Sequence, residues 1–206
     1  MKKILLIIVS LSVVYATATA QDLKKDIFGV RVGFNLSTAT MLYQDSKVTP
    51  DSKLGINLGF SYQRLLSTGT PVYFETGLFF SDEGIKIKNE RTHITSNLDL
   101  MYLKIPLILN YHIAALDNNQ AIKPFAGLYL SHGIGGKSKK TGETSINSFS
   151  KGMFNTFDFG FKLGTGLAVS KFYFCVTYEL GLANISADNE TDAKNRNWAF
   201  SIGYNF

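Results

Sequence analysis

Residues 157–182, FDFGFKLGTGLAVSKFYFCVTYELGL, carry the pattern that decides the fold. Up to Val169, large apolar residues alternate with small or polar ones, and the same alternation resumes at Phe172. Successive side chains of a β-strand point to opposite faces, so this period predicts two strands with one apolar face each. The two residues between them, Ser170 and Lys171, fit a tight hairpin turn. We therefore expect an antiparallel β-hairpin in this stretch.

Six further segments extend the pattern along the chain. Alternation is clear or partial over about 28–37, 54–63, 71–83, 100–113, 122–134 and 198–206, and it is least regular in 122–134. Segments of about ten residues have the length of tilted strands that cross a bilayer. Because an open sheet edge is costly in hydrocarbon, the first strand must pair with the last. The predicted fold is all-β, an eight-stranded antiparallel up-and-down transmembrane β-barrel.

The connections between these segments alternate in length. Those after odd-numbered segments are long, at about 38–53, 84–98, 135–155 and 184–196, and the others are short, at about 66–70, 114–121 and 170–171. Alternate connections of an up-and-down barrel lie on one side of the membrane, so the long loops share one rim. We expect that rim to be extracellular and both termini to be periplasmic.

The composition of the two faces indicates which of them meets lipid. A water-soluble barrel with an apolar interior would carry many charged residues outside. Here the polar face is mostly Gly, Ser, Asn and Ala, and the other face is mostly Phe, Leu, Ile and Val, with aromatic residues near both ends. Aromatic girdles of this kind belong at membrane interfaces. We expect the apolar face to point outward into lipid.

Proline in a central strand removes a ladder hydrogen bond, so we expect a β-bulge at Pro106 in the fourth strand.

The inward phase of the strands places charged side chains in the lumen, three of each sign. They are Arg31, Glu75, Lys104, Asp158, Lys162 and Glu179. If residues 170–171 form a two-residue turn, Lys162 lies directly opposite Glu179, which predicts a cross-strand salt bridge. Arg31 and Glu75 lie at similar heights, and we expect them to meet across the lumen. The balanced charges favour a solvated plug that holds the barrel shape, and a proton or ion path is the alternative.

The N-terminal residues indicate export. Lys2 and Lys3 precede an apolar run over residues 4–14, and Ala18-Thr19-Ala20 offers the small residues that a signal peptidase reads. We expect a cleaved signal peptide over residues 1–20, a single membrane anchor being the alternative, and one barrel domain over residues 21–206. Loss of the two lysines lowers the formal charge from +5 to +3, and the mature chain has no basic stripe that indicates nucleic acid.

No catalytic arrangement is specified by the spacing of residues. His93 falls in a long loop, His112 near a short turn, and His132 near the outer end of the fifth segment. A barrel hydrolase needs a nucleophile, a base and an orienting carboxylate, and no spacing indicates one. We predict a protein that is not an enzyme and that has no cofactor or metal. The acidic residues of loop 184–196 fit a solvated loop, or less well a hard cation site.

The third long loop is basic through Lys137, Lys139, Lys140 and Lys151. These lysines are candidates for contact with lipopolysaccharide or another anionic polysaccharide by charge attraction, and a solubilising loop is the alternative. The C-terminal Phe206 is in phase with Tyr204 and Trp198. It resembles the terminal aromatic signal that the outer-membrane assembly machinery reads.

Several segments together resemble the PorT-like outer-membrane β-barrel family of Bacteroidetes-type bacteria. They are 29–37 (GVRVGFNLS), 74–84 (FETGLFFSDEG), 102–111 (YLKIPLILNY), 123–127 (KPFAG), 158–166 (DFGFKLGTG) and the aromatic-ended last strand. In that family the fourth strand usually reads close to Tyr-Leu-x-Ile-Pro-Leu, although an acidic residue is common where Lys104 stands. The resemblance covers nearly the whole mature chain. It implies an integral outer-membrane protein of mostly undefined role, and some relatives are linked to protein secretion.

These observations give one leading functional hypothesis and two alternatives. The leading hypothesis is a structural or binding barrel whose long loops contact an extracellular ligand or a partner protein of unknown identity. The alternatives are an accessory subunit of protein secretion or envelope assembly, and a narrow, porin-like channel.

Overall fold

The computed structural model describes residues 24–44, 46–89, 94–114, 120–140, 145–149, 153–188 and 190–206. The predicted signal peptide lies outside these residues. No helix in this part of the chain is long and apolar enough to cross a membrane.

Eight long strands form the body of the molecule. They are β1 (Asp26–Tyr43), β2 (Asp51–Ser67), β3 (Thr70–Asn89), β4 (Ile94–Tyr111), β5 (Gln120–Gly135), β6 (Phe157–Val169), β7 (Phe172–Gly181) and β8 (Thr191–Asn205). Each strand pairs antiparallel with the next one along the chain. The first and last strands also pair, from Gly29 opposite Asn205 to Tyr43 opposite Thr191. The closed eight-stranded barrel is therefore confirmed, and its body has no open edge.

The barrel has two different ends. At one end, called here the turn end, β2 and β3 are joined through Thr68 and Gly69, and β6 and β7 through Ser170 and Lys171. Val169 pairs with Phe172, as the two-residue turn requires, and Ser170 adopts a positive φ of 55°. The other end, called the hairpin end, carries the connections after β1, β3, β5 and β7.

At the hairpin end the strands continue well past the predicted boundaries. The segments 38–53 and 84–98, expected as loops, are largely strand, and β8 already begins at Thr191 within segment 184–196. The β3–β4 ladder runs as far as Asn89 opposite Ile94. At this end apolar side chains such as Ile85 and Leu98 are buried inside, so the outward apolar alternation stops while the ladder continues. Segment 135–155 holds two short strands, Lys137–Lys140 and Ile146–Asn147.

Two more short strands extend the sheet. Ser46–Val48 pairs with the end of β1, and Ile113–Ala114 pairs with the start of β5.

The apolar face points outward, as predicted. Phe159 is 40% exposed and Phe174 is 48% exposed, and Leu54 and Phe60 each reach 68%. Their neighbours along each strand, such as Asp158, are buried inside. A protein with this exterior is stable only where hydrocarbon replaces water around it.

The prediction of a bulge at Pro106 is wrong. Pro106 pairs with Tyr129 in unbroken register, and the register shift of this strand pair lies between Met101 and Tyr102 instead. On its other edge, β4 pairs with β3, and the register is the same on both sides of the proline, at Glu75–Ile108 and at Phe79–Lys104. Between these two pairs, opposite Pro106, the ladder is interrupted. The missing N–H is thus accommodated by a local gap in one ladder.

Candidate functional site

The lumen holds a cluster of charges around the buried Lys104. Its ammonium donates to Glu179 Oε2 at 2.7 Å and forms a second, short ion pair with Glu83. Lys162 donates to the other oxygen of Glu179, also at 2.7 Å, so the predicted cross-strand salt bridge is present. Glu179 therefore bridges two lysines, and Lys104 bridges two carboxylates. A chain of this kind satisfies buried charges that would otherwise be costly.

Amide and hydroxyl groups complete this cluster. Asn197 Nδ2 donates to Glu179 at 3.1 Å and to Glu83 at 3.3 Å, and Ser81 Oγ donates to Glu83 at 2.7 Å. The carboxylates thus gain hydrogen bonds from β3 and β8 as well as from the lysines, so the cluster ties strands together across the lumen.

Asp158 forms a second polar centre close to the first. It accepts hydrogen bonds from Asn195 Nδ2 at 2.9 Å and from the hydroxyl of Tyr129 at 3.1 Å. The same Asn195 donates to the hydroxyl of Tyr102 at 3.2 Å. Lys104 lies 4.8 Å from the centre of the Tyr129 ring, so this aromatic residue contacts both centres.

Toward the turn end the arrangement differs from the prediction. Arg31 lies 4.4 Å from the centre of the Tyr173 ring and donates to the Val30 carbonyl. Glu75 instead accepts hydrogen bonds from Gln63 and Asn110, both at 2.7 Å. Within the described residues Arg31 and Glu75 form no ion pair, so their expected pairing is wrong. The Tyr173 ring contacts the Arg31 guanidinium, and the amides of Gln63 and Asn110 satisfy the Glu75 carboxylate.

Two charged residues of the lumen were missed. Glu83 lies in phase with Glu75 but at the edge of the predicted strand, and Lys123 falls in the least regular segment. Both are buried. Following the alternation of β3 from Glu75 as far as residue 83 would have found the first. With them, the lumen residues named here carry four positive and four negative charges, which keeps the interior electrically balanced.

An apolar cap seals the lumen at the hairpin end. It consists of Ala39, Ile85, Leu98, Leu100, Tyr102, Ile185 and Ala193, with Met41, Phe149 and Phe154 packed against them. Its members come from β1, β3, β4 and β8 and from the connections on both sides of β6 and β7. Below it, a lumen cavity of about 50 Å³ remains. That volume holds only a few water molecules.

A basic cleft lies outside the cap, on the outer wall of the hairpin end. The cleft measures about 490 Å³. It is lined by Lys53, Leu54, Lys86, Asn97, Asp99, Lys137, Lys139 and Ser145. Lys137 and Lys139 reach it because their short strand pairs with β4, with Lys139 opposite Asn97. Lys86 lies opposite Asn97 on the other side. Of the other predicted contact residues, the side chain of Lys140 and the whole of Lys151 lie outside the described residues.

The histidines do not converge. His112 is buried at the turn end and stacks on Tyr73, with ring centres 4.0 Å apart. His132 is exposed on the outer wall, paired with Phe157 and Leu103. His93 lies outside the described residues. The geometry therefore brings no two described histidines to one site.

The acidic residues of the last connection have separate partners. Asp188 accepts from the Thr191 hydroxyl at 2.9 Å, Glu190 accepts from Gln44 at 2.9 Å, and Asp192 pairs with Lys194 at 3.0 Å. Within the described ranges no three histidine, cysteine or acidic side chains form a metal-binding group.

Comparisons with known proteins agree with this geometry. A family model described as "Outer membrane protein beta-barrel domain" matches residues 19–187. Neisserial surface protein A (NspA) is similar in structure, with a TM-score of 0.50 and 14% identity over 86% of this chain and 95% of that one. Ail of Yersinia pestis gives a TM-score of 0.43 and 13% identity over 89% of this chain and 100% of that one.

The N-terminal β-barrel domain of Pseudomonas aeruginosa OprF gives a TM-score of 0.39 at 11% identity, over 89% of this chain and 98% of that domain. At 14% identity, the likeness to NspA shows the fold alone. No match was found among curated protein sequences.

Proposed function

This chain belongs to the outer membrane protein beta-barrel domain family, and from that premise we propose that it is a non-conducting barrel of the bacterial outer membrane that binds through its hairpin end. The barrel anchors the protein, and the strand extensions present a surface to an extracellular ligand or a partner protein. The proposal assigns the protein no catalytic reaction.

One observation carries the proposal: the lumen is filled and closed by its own side chains. Buried ion pairs occupy its middle, and the apolar cap covers them. A selectivity ring needs charges of one sign facing water, whereas these charges neutralise each other. The interior therefore serves to hold the barrel and its extensions rigid, which leaves the outer surface as the working part.

The hairpin end is built as a continuation of the sheet, which suits a binding surface. The connections also contact one another: Phe154 bridges Ser186, and Gln44 donates to Glu190. Loops that carry binding residues work best on a rigid scaffold, because less conformational entropy is lost when a ligand binds.

The test is electrical. The purified barrel, reconstituted in a planar bilayer, is expected to give no steady conductance, with an open porin in the same bilayer as positive control. Steady step-like conductance from the wild-type protein would contradict the closed lumen and favour the narrow channel.

The PorT-like resemblance supports a second candidate, an accessory subunit of protein secretion or envelope assembly. In that case the rigid extensions would dock a protein and not a saccharide or lipid. A stable partner that co-purifies with the barrel from membranes, and that is lost when residues 38–53 and 135–155 are shortened, favours this candidate.

We also propose the route by which the protein reaches the membrane. The signal peptide directs export to the periplasm, and the assembly machinery then recognises the C-terminal aromatic residue. Phe206 is 60% exposed, and its backbone N–H donates to Phe28 at 2.9 Å. Its ring is thus available to another protein while its backbone is held by the first strand.

A further inference from the structure

We infer that the basic cleft binds the phosphate groups of lipopolysaccharide, the lipid of the outer leaflet that surrounds the barrel. The inference rests on the proposed orientation, with the hairpin end facing outward. It assigns a ligand class and a site to one face of that end, and it adds Lys86 to the lysines that the sequence indicated.

The cleft has an excess of positive charge. Four lysines and one aspartate line it, which leaves a formal charge of +3. The one acidic residue is already engaged, because Lys53 lies 3.2 Å from Asp99 and 2.8 Å from Asp82. Among the described residues, Lys86, Lys137 and Lys139 form no ion pair. Asp51 lies opposite Lys86 in the β2–β3 pair, so Lys137 and Lys139 carry most of the charge that is offered to an anionic ligand.

The sheet fixes the spacing of these three lysines. One row across three strands contains Lys86, Asn97 and Lys139. The two lysines of this row therefore stand roughly 10 Å apart, with the amide of Asn97 between them. Lys137 and Lys139 are two residues apart on one strand, roughly 7 Å along its axis. Long lysine side chains at these distances converge on a single phosphate group, while Asn97 offers a further hydrogen bond.

The position of the cleft selects a membrane lipid over a soluble polyanion. Leu54 lines the cleft and is 68% exposed. It lies in one row across three neighbouring strands with Leu36 and Trp198. Tryptophan marks the level of the lipid headgroups on barrels of this kind. The cleft thus opens on the barrel wall where the apolar belt ends, which is the height of a headgroup phosphate.

The bulge in β5 accounts for the direction of the lysines. The register with β4 shifts by one residue between Met101 opposite Gly135 and Tyr102 opposite Gly133. A one-residue shift moves every later side chain to the other face of the sheet. Tyr129 and Ser131 point into the lumen, whereas Lys137 and Lys139, of the same parity, are exposed on the outside.

The experiment compares two triple variants of the full-length protein. The cleft variant carries Lys86→Gln, Lys137→Gln and Lys139→Gln. The control carries Lys24→Gln, Lys25→Gln and Lys171→Gln, which remove the same charge from exposed lysines at the turn end. Lipopolysaccharide that co-purifies per barrel is measured chemically. Native mass spectrometry then follows binding of purified bisphosphorylated lipid A and of its dephosphorylated form.

We expect the wild type and the control to retain lipopolysaccharide and to prefer the phosphorylated lipid A. The cleft variant should lose at least about tenfold in binding, because each lysine near an anionic lipid surface contributes roughly fivefold. Equal binding by the cleft variant, or no preference for the phosphorylated form, would overturn the inference. So would equally strong binding of a soluble sulfated polysaccharide by the wild type, since the ligand would then not be a lipid.

A separate measurement distinguishes failure of the lipopolysaccharide site from failure of the proposed orientation. Surface labelling of the hairpin end in intact cells tests the orientation alone. Labelling without lipopolysaccharide binding refutes only the lipid site, whereas absence of labelling refutes the orientation and the lipid site with it.

Discussion

Lys104 holds together carboxylates from two strands that are not neighbours in the barrel. Glu83 comes from β3 and Glu179 from β7, and the lysine between them comes from β4. All three side chains are at most 5% exposed. A buried ion pair contributes little net stability when intact, but removal of one partner leaves an uncompensated charge.

Lys104→Met should therefore be strongly destabilising, by about 3–5 kcal/mol of unfolding free energy. Lys162→Met is the matched control: its side chain is 18% exposed, and Glu179 keeps Lys104 when it is removed. Urea unfolding in lipid vesicles, followed by the fluorescence of the single tryptophan, measures both. Equal stability of the two variants would show that Lys104 does not organise the cluster.

The two residue pairs that the sequence predicted in the lumen differ in whether their strands are neighbours. Lys162 and Glu179 belong to one hairpin, so the turn length alone fixes their register. Arg31 and Glu75 belong to strands separated by β2, and several polar groups lie within reach of each. Alternation places both residues inside, but only the packed interior decides that Arg31 meets Tyr173 and that Glu75 meets two amides.

Gly136 allows the element Lys137–Lys140 to continue β5 after the bulge. Its φ is +150°, and a Cβ built there would lie 2.0 Å from the Asp99 carbonyl oxygen of β4. Gly135, immediately before it, has no atom within 4 Å of such a Cβ. The backbone geometry at residue 136 thus requires glycine, whereas that at residue 135 does not.

Gly136→Ala should lower stability by about 1–3 kcal/mol because of backbone strain, and Gly135→Ala should leave it nearly unchanged. Amide hydrogen exchange of residues 137–140 reports the same effect locally, since loss of pairing with β4 would expose these amides. If both substitutions had the same effect, the strain at residue 136 would not be what fixes this element.

The whole molecule reverses its polarity along the barrel axis. In the membrane part, apolar side chains face out and polar ones face in, while at the hairpin end the apolar cap is inside and the lysines are outside. This reversal indicates two solvents, hydrocarbon around the barrel and water around the extensions. The extensions at the hairpin end therefore lie in water beyond the membrane.

The orientation predicts which sites a membrane-impermeant maleimide reaches. In a Cys175→Ser background, Ser145→Cys at the exposed hairpin end should be labelled in intact cells. Thr68→Cys, exposed in the turn between β2 and β3, should be labelled only after the membrane is permeabilised. Labelling of Thr68→Cys alone in intact cells would mean that the barrel is inserted the other way.

The sequence by itself determined the strand count, the closure, the outward apolar face and the Lys162–Glu179 pair. These follow from a period of two, from turn length and from the cost of open edges in lipid, all of which are local or general constraints. Only the tertiary structure decided the network around Lys104, the apolar cap and the basic cleft. These depend on contacts between distant strands and on a one-residue bulge that alternation alone does not reveal.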